Sequence, residues 1–348
     1  MTPPTAIDTP RAVPARRVKP KPPVNPATAM VPAAMATPPK PDFEARDPDA
    51  RVYVGDCRGI LSRLAEVRES RVDLVFADPP FNWNRAYDRW HDAMPEGEYL
   101  DFTYHWLSLC ARALRPGGSL WVNIPDDWAA EIVAYLKGRI RHERHGLEAP
   151  LVMENWCIWH YRFGQNTTSR FINSKVHALH FVKPGAQHTW NPGEVLEMSD
   201  RAAIYADPRT QSKKDGMPAG MRVPMDVWYG RYWGRIQGNN KERRHGHDNQ
   251  LPEVYLERVV RATSKEGDLV LDPFLGSGTT GVVARALKRR FIGCEFSIDN
   301  AERAFERVLK GPQRPLGQAR GVSTAIFPKR RAGAGGAAAR KPRRKRGA

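Results

Sequence analysis

From about residue 50 onward, short apolar runs alternate with longer stretches whose apolar positions recur every three or four residues. The runs Arg51–Val54, Val72–Ala77, Ser119–Ile124, Val152–Trp159, Val176–Val182, Leu269–Leu271 and Arg290–Glu295 read as strands. The stretches Tyr99–Ala113, Asp127–Lys137, Glu253–Thr263, Thr279–Leu287 and Ile298–Lys310 read as helices. Pro116-Gly117-Gly118 marks a helix stop ahead of the strand at Ser119. Pro252 before Glu253 suits a helix start, because proline's missing N–H leaves no bond unmade in the first turn. Val72–Ala77 is apolar on both faces apart from Asp73, as a central strand covered on both sides would be. Strands alternating with helices predict a three-layer, doubly wound α/β domain with a mostly parallel sheet.

Three stretches break this rhythm. Residues 1–48 are rich in Pro, Ala and Thr, and 312–348 are dominated by Gly, Ala, Arg and Lys. Neither holds enough bulky apolar surface to offset its ordering entropy, so both are expected to be disordered tails. Residues 184–247 carry few clean strands but many Trp, Tyr, Gly, Arg and Asn, and read as an inserted recognition region. The expected organisation is therefore a body of two halves, 49–183 and 248–311, interrupted by 184–247. No internal repeat is present.

The net charge of +17 changes this picture less than its size suggests. Residues 310–348 hold 12 Lys/Arg and no acid, and residues 1–40 hold 6 Lys/Arg and one Asp. Taking those from the totals of 55 and 38 leaves 37 basic and 37 acidic residues for 41–309. The tails carry the basicity and could add non-specific phosphate contacts. Inside the body, Arg139–His145 and Arg231–His247 are basic clusters that could equally be solvated surface. Four scattered cysteines, none in a C-x-x-C pair, argue against a disulfide frame or a structural zinc. With no run approaching a membrane span and no secretory h-region, a cytoplasmic, nucleoid-associated location is expected.

Two segments concentrate the candidate chemistry. Asp272-Pro273-Phe274-Leu275-Gly276-Ser277-Gly278-Thr279-Thr280 runs from a strand end into a helix start, where glycines admit a ligand and unpaired N–H groups face it. The lysine of a P-loop is absent, which disfavours ATP or GTP hydrolysis. Glu295 ends the next strand, 19 residues after Gly276, where a carboxylate can accept from ribose hydroxyls. The other segment is Asp78-Pro79-Pro80-Phe81-Asn82, again at a strand end. Two prolines stiffen this turn and remove donors, leaving the carboxylate and nearby carbonyls as fixed acceptors. That suits an exocyclic base amine: accepting both N–H bonds favours a pyramidal nitrogen able to attack a methyl sulfonium. Phe81, with Trp83 near it, offers a stacking face for an extruded base. Taken alone, either segment could be an ordinary strand-ending turn.

In this order the residues resemble the β class of DNA amino-methyltransferases, in which the catalytic motif precedes the cofactor motif. The resemblance covers 51–310 and includes Gly55-Asp56-Cys57, Asp78–Phe81, the strands around Trp156–Phe163 and Val176–Lys183, His247–Pro252, the Asp272 loop and Gly293-Cys294-Glu295. It implies a Rossmann-like methyltransferase sheet with circularly permuted motif order, and S-adenosylmethionine as cofactor. It further implies that Asp78, Pro79, Pro80 and Phe81 hold the target amine, and that Phe274, Gly276, Ser277, Gly278, Thr279 and Thr280 hold the methionine part of the cofactor. Glu295 would bind ribose, Asp56 would lie near the adenine moiety, and Asp272 and His247 would complete the pocket. Asp56 could equally be a strand-end cap. His247–Pro252 keeps the family's His, Gln and Pro but differs at Asp248, Asn249 and Leu251.

An initial Asp in the catalytic turn leans, by the resemblance, to adenine N6; cytosine N4 is the alternative. Cytosine C5 chemistry needs a thiolate, usually after proline, and no Pro-Cys pair occurs. Methylation of RNA or of a protein Gln, and a catalytically silent DNA-binding relative, remain competing expectations. The expected partner is double-stranded DNA, read by Arg231, Arg235, Asn239, Asn240, Lys241, Arg243 and Arg244. A second copy of the chain and a cognate restriction nuclease are left open as further partners.

Overall fold

The computed structural model describes residues 38–85, 90, 92–161, 166–213, 216–230, 232–238, 240–244 and 249–317. In chain order the elements are β1 (Phe43–Ala45), β2 (Ala50–Val54), α1 (Cys57–Leu61), α2 (Ala65–Arg68), β3 (Val72–Ala77), α3 (Glu96–Ala113), β4 (Leu114–Ile124) and α4 (Asp126–Leu136). Then come β5 (Val152–His160), β6 (Lys175–Val182), β7 (Glu197–Met198), α5 (Asp200–Ala203), β8 (Met221–Arg222) and β9 (Val227–Trp228). The last are α6 (Glu253–Thr263), β10 (Leu269–Asp272), α7 (Thr279–Ala286), β11 (Arg290–Glu295) and α8 (Ile298–Lys310).

Nine strands form one sheet in the order β1-β2-β11-β10-β3-β4-β6-β5-β9. The central five, β2, β11, β10, β3 and β4, are parallel, while β1 and β6 run antiparallel to their neighbours. Central strands bury both faces, which is why β3, β10 and β11 read as continuous apolar runs. Asp73, the polar exception in β3, accepts from Leu269 N (2.8 Å) and pairs with Arg115, so it ties three strands together. Helices α6, α7 and α8 pack as one group and α1 to α4 as another, giving the expected three layers. In α8, Ala301, Ala304, Phe305 and Val308 are buried at i, i+3, i+4 and i+7, a single stripe turned to the sheet. Each fully buried Leu, Val or Phe in such stripes contributes roughly 1.5–3 kcal/mol.

Several boundaries differ from expectation. Phe43–Ala45 lies in the stretch assigned to the first tail, yet it pairs with Ala50–Val52 and Phe43 packs on Phe305 (5.6 Å between ring centroids). One aromatic ring in a polar stretch supplies that anchor. At the other end, residues 313–317 also belong to the body: Glu253 accepts from Gln313 N (3.2 and 3.1 Å) and Arg314 N (3.3 Å), and Glu257 from Gly317 N (2.6 Å). Pro116-Gly117-Gly118 does not precede the strand but lies within β4, where the register to β3 shifts between Val72 and Leu74. The 184–247 stretch is partly ordered: β7 and β8 form a small antiparallel ladder, and β9 joins the main sheet beside β5. Residues 1–37 and 318–348 lie outside the described residues.

No described helix is long and apolar enough to cross a membrane.

Candidate active site

Because β2, β11, β10 and β3 are parallel, the residues that follow them gather at one edge. There Gly55-Asp56, Asp78–Phe81, Asp272–Ser277, Thr279-Thr280 and Glu295 line a shared cleft of about 1000 Å³, counting its open mouth. The edge on which ligands bind in open α/β sheets is thus the one carrying both sequence motifs.

The cofactor loop is organised by its own carboxylates. Asp272, 2% exposed, accepts from Phe274 N (2.9 Å). Glu295 accepts from Gly276 N (2.9 Å) and Ser297 N (3.1 Å), so the strand-end acid clamps the loop as well as facing the cleft. Gly276 adopts a left-handed conformation (φ 51°) that a β-branched residue resists. Gly278 (φ 80°) does different work. It does not face the cleft; a Cβ there would lie 2.9 Å from the Ala304 carbonyl, so glycine lets α7 pack on α8. Ser277 and Thr279 line the cleft and are held from behind by Arg307, which bonds the Ser277 carbonyl (3.1 Å) and Thr279 Oγ1 (2.7 Å) and is itself paired with Glu253 (2.9 Å). Thr280 lines the cleft and hydrogen-bonds Asp272. Phe274 packs edge-on against Trp106 (5.1 Å) and Phe102 (6.2 Å).

Asp56 both lines the cleft and caps α1, accepting from Arg58 N (2.9 Å) and pairing with its guanidinium (2.6 Å). His247 lies outside the described residues, as do Arg231 and Asn239.

In the catalytic turn the rigidity expected of two prolines is reinforced by side chains from α3 and α4. Tyr99 Oη donates to the Pro80 carbonyl (2.8 Å) and Trp128 Nε1 to the Phe81 carbonyl (2.9 Å). Asp92 accepts from the backbone N–H groups of Asn82 (2.9 Å), Trp83 (3.0 Å) and Arg85 (3.0 Å), fixing the chain after the turn. Phe81 is buried in the cleft wall with Trp83 edge-on at 5.1 Å. Tyr99 and Trp128 thus occupy the Pro80 and Phe81 carbonyls, while Asp78 and Pro79 also line the cleft.

Two residues that support Asp78 escaped the sequence reading. Asn123, in β4, donates to Asp78 Oδ1 (2.7 Å), and Tyr255 Oη of α6 donates to Asn123 Oδ1 (3.1 Å). Both contacts bridge distant parts of the chain, and neither residue belongs to a motif. Asn123 and Tyr255 are buried, so the pair sets the orientation of the carboxylate. Trp90 was also missed. It lines the cleft beside Phe102 and Phe296, and its indole Nε1 is buried with no acceptor among the described residues.

Beyond Asp78 a second chamber opens, sharing Asp78, Phe81, Asn249 and Leu251 with the cleft. Its far wall includes Tyr161 and Arg235; the Arg235 guanidinium lies over the Tyr161 ring (5.5 Å) and donates to Asn249 Oδ1 (2.9 Å). Among the recognition-region residues expected to face DNA, Arg244 instead turns inward, bonding the Gly276 carbonyl (3.2 Å) and Asn300 Oδ1 (3.1 Å). Burial holds its guanidinium below the usual arginine value. Arg243 and Asn240 make local turn contacts, with Arg243 on the Gly238 carbonyl (3.1 Å) and Asn240 Oδ1 accepting from Glu242 N (3.0 Å).

Burial raises both strand-end aspartates. Asp78 is pushed up to about 7, against the lowering effect of the Asn123 bond and with a further rise from Asp272. Asp272 is also pushed up to about 7, by burial and by Glu295, despite bonds from Thr280 and Phe274 N. For Asp78 the stability consequence has a definite sign. Its folded value lies above its ordinary one, so the folded state binds the extra proton between about pH 4 and 7. Stability at this position is intact at low pH and falls as pH rises toward 7. Asp78→Asn removes the titration and keeps an acceptor for Asn123. In melts without ligand, its Tm advantage over the parent should grow from about pH 4 to 7 and level off above. A pH-independent offset would show that the carboxyl is not held in its neutral form.

The comparisons with known proteins point the same way. Residues 72–306 match a family model described as DNA methylase. The chain is 32% identical over 286 residues to the type II methyltransferase M.BamHI of Bacillus amyloliquefaciens, covering 80% of this chain and 62% of that protein. It is 30% identical over 260 residues to the DNA adenine methyltransferase YhdJ of Escherichia coli, covering 71% and 80% respectively. In structure it is similar to the PvuII DNA methyltransferase, described as cytosine-N4-specific, with a TM-score of 0.54 and 16% identity over 74% of this chain and 86% of that one, a likeness of fold.

Proposed function

The chain belongs to the family of DNA methylases that modify adenine N6 or cytosine N4, and from that premise we propose that it methylates adenine N6 in double-stranded DNA. The methyl donor of the family is S-adenosylmethionine. The cleft suits such a cationic molecule. Asp56, Asp78, Asp272 and Glu295 all line it, Trp90 Nε1, unpaired among the described residues, offers a donor to acceptor atoms of the ligand, and Gly276 brings the backbone to its wall. Gly276, Ser277, Thr279 and Thr280 would hold the methionine part, with Glu295 on the ribose hydroxyls and Asp56 toward the adenine moiety. When bound, the donor supplies an electrophilic methyl on a sulfonium.

The observation that carries the reading is the position of Asp78 at the junction of the two chambers. A base entering the second chamber would present its amine to Asp78 and the Pro79 carbonyl, with the cofactor cleft on the other side. The carboxylate and the carbonyl would each accept one N–H, which turns the nitrogen lone pair toward the cleft. Phe81 would stack on the ring, and Asn123, braced by Tyr255, would keep the carboxylate from turning away. Raised by burial, Asp78 is also able to take up the proton that leaves the amine after transfer. An Asp at the head of the turn favours adenine over cytosine, and the similarity to an adenine methyltransferase supports that choice.

The test is digestion of DNA treated with the enzyme and labelled cofactor, followed by chromatography of the nucleosides. Label should run with N6-methyl-2′-deoxyadenosine. Label on N4-methyl-2′-deoxycytidine would replace the base assignment while leaving the amine chemistry in place.

A further inference from the structure

Phe171 is the most exposed large apolar side chain among the described residues, at 97%, and Ile172 beside it is 46% exposed. Neither belongs to the cleft or to the second chamber. They lie in the loop joining β5 to β6, and the sheet register places that loop. Ile124, at the C-terminal end of β4, pairs with His177, and His160 pairs with Lys175. The loop therefore leaves the sheet at the edge that carries Asp78. Its stem is fixed there: Tyr161 N donates to the Ser174 carbonyl (3.0 Å), and Lys175 and His177 both bind Asp126 at the start of α4. Tyr161 itself walls the second chamber. Lys175 lies four residue steps after Phe171, a reach of at most about 14 Å. The phenyl ring is thus tethered to the sheet edge that carries Asp78, within that reach of the stem.

Its neighbours suit a nucleic-acid backbone. Asn166, Thr168, Ser169 and Arg170 are exposed, and residues 166–174 contain no acid. Hydroxyl, amide and guanidinium donors of this kind bind phosphate without reading sequence. An apolar ring flanked by such donors matches one surface, the duplex with its stacked bases inside and its charge outside.

We propose that Phe171 is a wedge that enters the base stack of duplex DNA at the position the target base leaves. This rests on the reading of the protein as a base-extruding DNA methyltransferase. Extrusion opens a flat apolar slot about one ring thick, and an aromatic side chain filling it recovers part of the lost stacking. The target base can then stay in the second chamber.

The test uses Phe171→Ala and Phe171→Trp in the full-length protein, on duplexes carrying the recognition site found by modified-base sequencing of plasmid treated with the enzyme. One duplex is fully paired; the other has an abasic site opposite the target, so extrusion costs less. Phe171→Ala should lower kcat/KM on the paired duplex by roughly 10- to 100-fold, the order expected for one unstacked step. On the abasic duplex it should come within a few-fold of the parent, and Phe171→Trp should keep near-parental rates on both. Cofactor affinity should not change, and at 97% exposure the fold should not either. Equal losses on both duplexes, or no loss on either, would overturn the wedge while leaving the methyltransferase reading intact. A parent enzyme that methylates neither duplex would remove that reading and the wedge with it.

Discussion

Asp78→Ala should abolish methyl transfer to DNA and leave S-adenosylmethionine affinity within a few-fold of the parent. The carboxylate stands where the two chambers meet, and in the proposed reaction it would act only once an amine is present. Removing a group aimed at charge that develops during reaction typically costs on the order of 100-fold or more in rate. Here the loss should lie at the upper end, because Asp78 is the one carboxylate in the turn 78–82. The same residue sets the pH response. Burial puts Asp78 at about 7 in the free protein, and the ionised form is the one that accepts the amine's N–H, so kcat/KM for DNA should fall as pH drops below about 7. A bound cation in the neighbouring cleft favours the carboxylate, so the corresponding limb of kcat should lie at lower pH. Tritium transfer from labelled cofactor, beside calorimetric cofactor binding, separates the two effects. Near-normal transfer by Asp78→Ala would refute the assignment.

Most of the sheet could be read from the chain, for a physical reason. Central parallel strands are buried on both faces, so Val72–Ala77, Leu269–Leu271 and Arg290–Glu295 announce themselves as apolar runs without any partner being known. Helices α6 and α8 were delimited to the residue because a proline opens one and a four-residue apolar stripe runs through the other. The two strand-end turns were legible for the same reason: a polar residue directly after a buried run has to lie at the sheet edge.

What the chain hides is pairing across long separations. Asn123 looks like one polar residue in a strand, and Tyr255 like one aromatic on a helix face. Their role follows from a hydrogen bond spanning 132 residues, and no local pattern encodes it. Arg244 fails in the opposite direction. Its place in a basic cluster suggests phosphate, whereas the fold turns it toward the Gly276 carbonyl. Phe43 and the 313–317 segment show a third limit. Composition marks their surroundings as tail, but one ring and a few backbone donors satisfied by Glu253 and Glu257 are enough to order them.

The two glycines of the cofactor loop match the same motif, yet the structure gives them separate duties, and the last prediction turns on that difference. Gly276→Val should abolish S-adenosylmethionine binding while the protein remains folded. At φ 51° a β-branched residue is strained, and relief requires the loop to move. Movement would break the Gly276 N bond to Glu295 and the Arg244 contact on its carbonyl, which together hold the loop in place. Gly276 itself is only partly buried, so the damage should stay local, with cofactor affinity falling more than about 100-fold, two or more steps of 1.4 kcal/mol. Gly278→Val should behave differently. Its new side chain would meet the Ala304 backbone 2.9 Å away in the packed seam between α7 and α8, so the melting temperature should fall and cofactor loss should follow from unfolding. Calorimetry and thermal melts on both variants distinguish the two duties. If Gly276→Val bound cofactor normally, the loop at Gly276 would not be the wall against which the ligand lies.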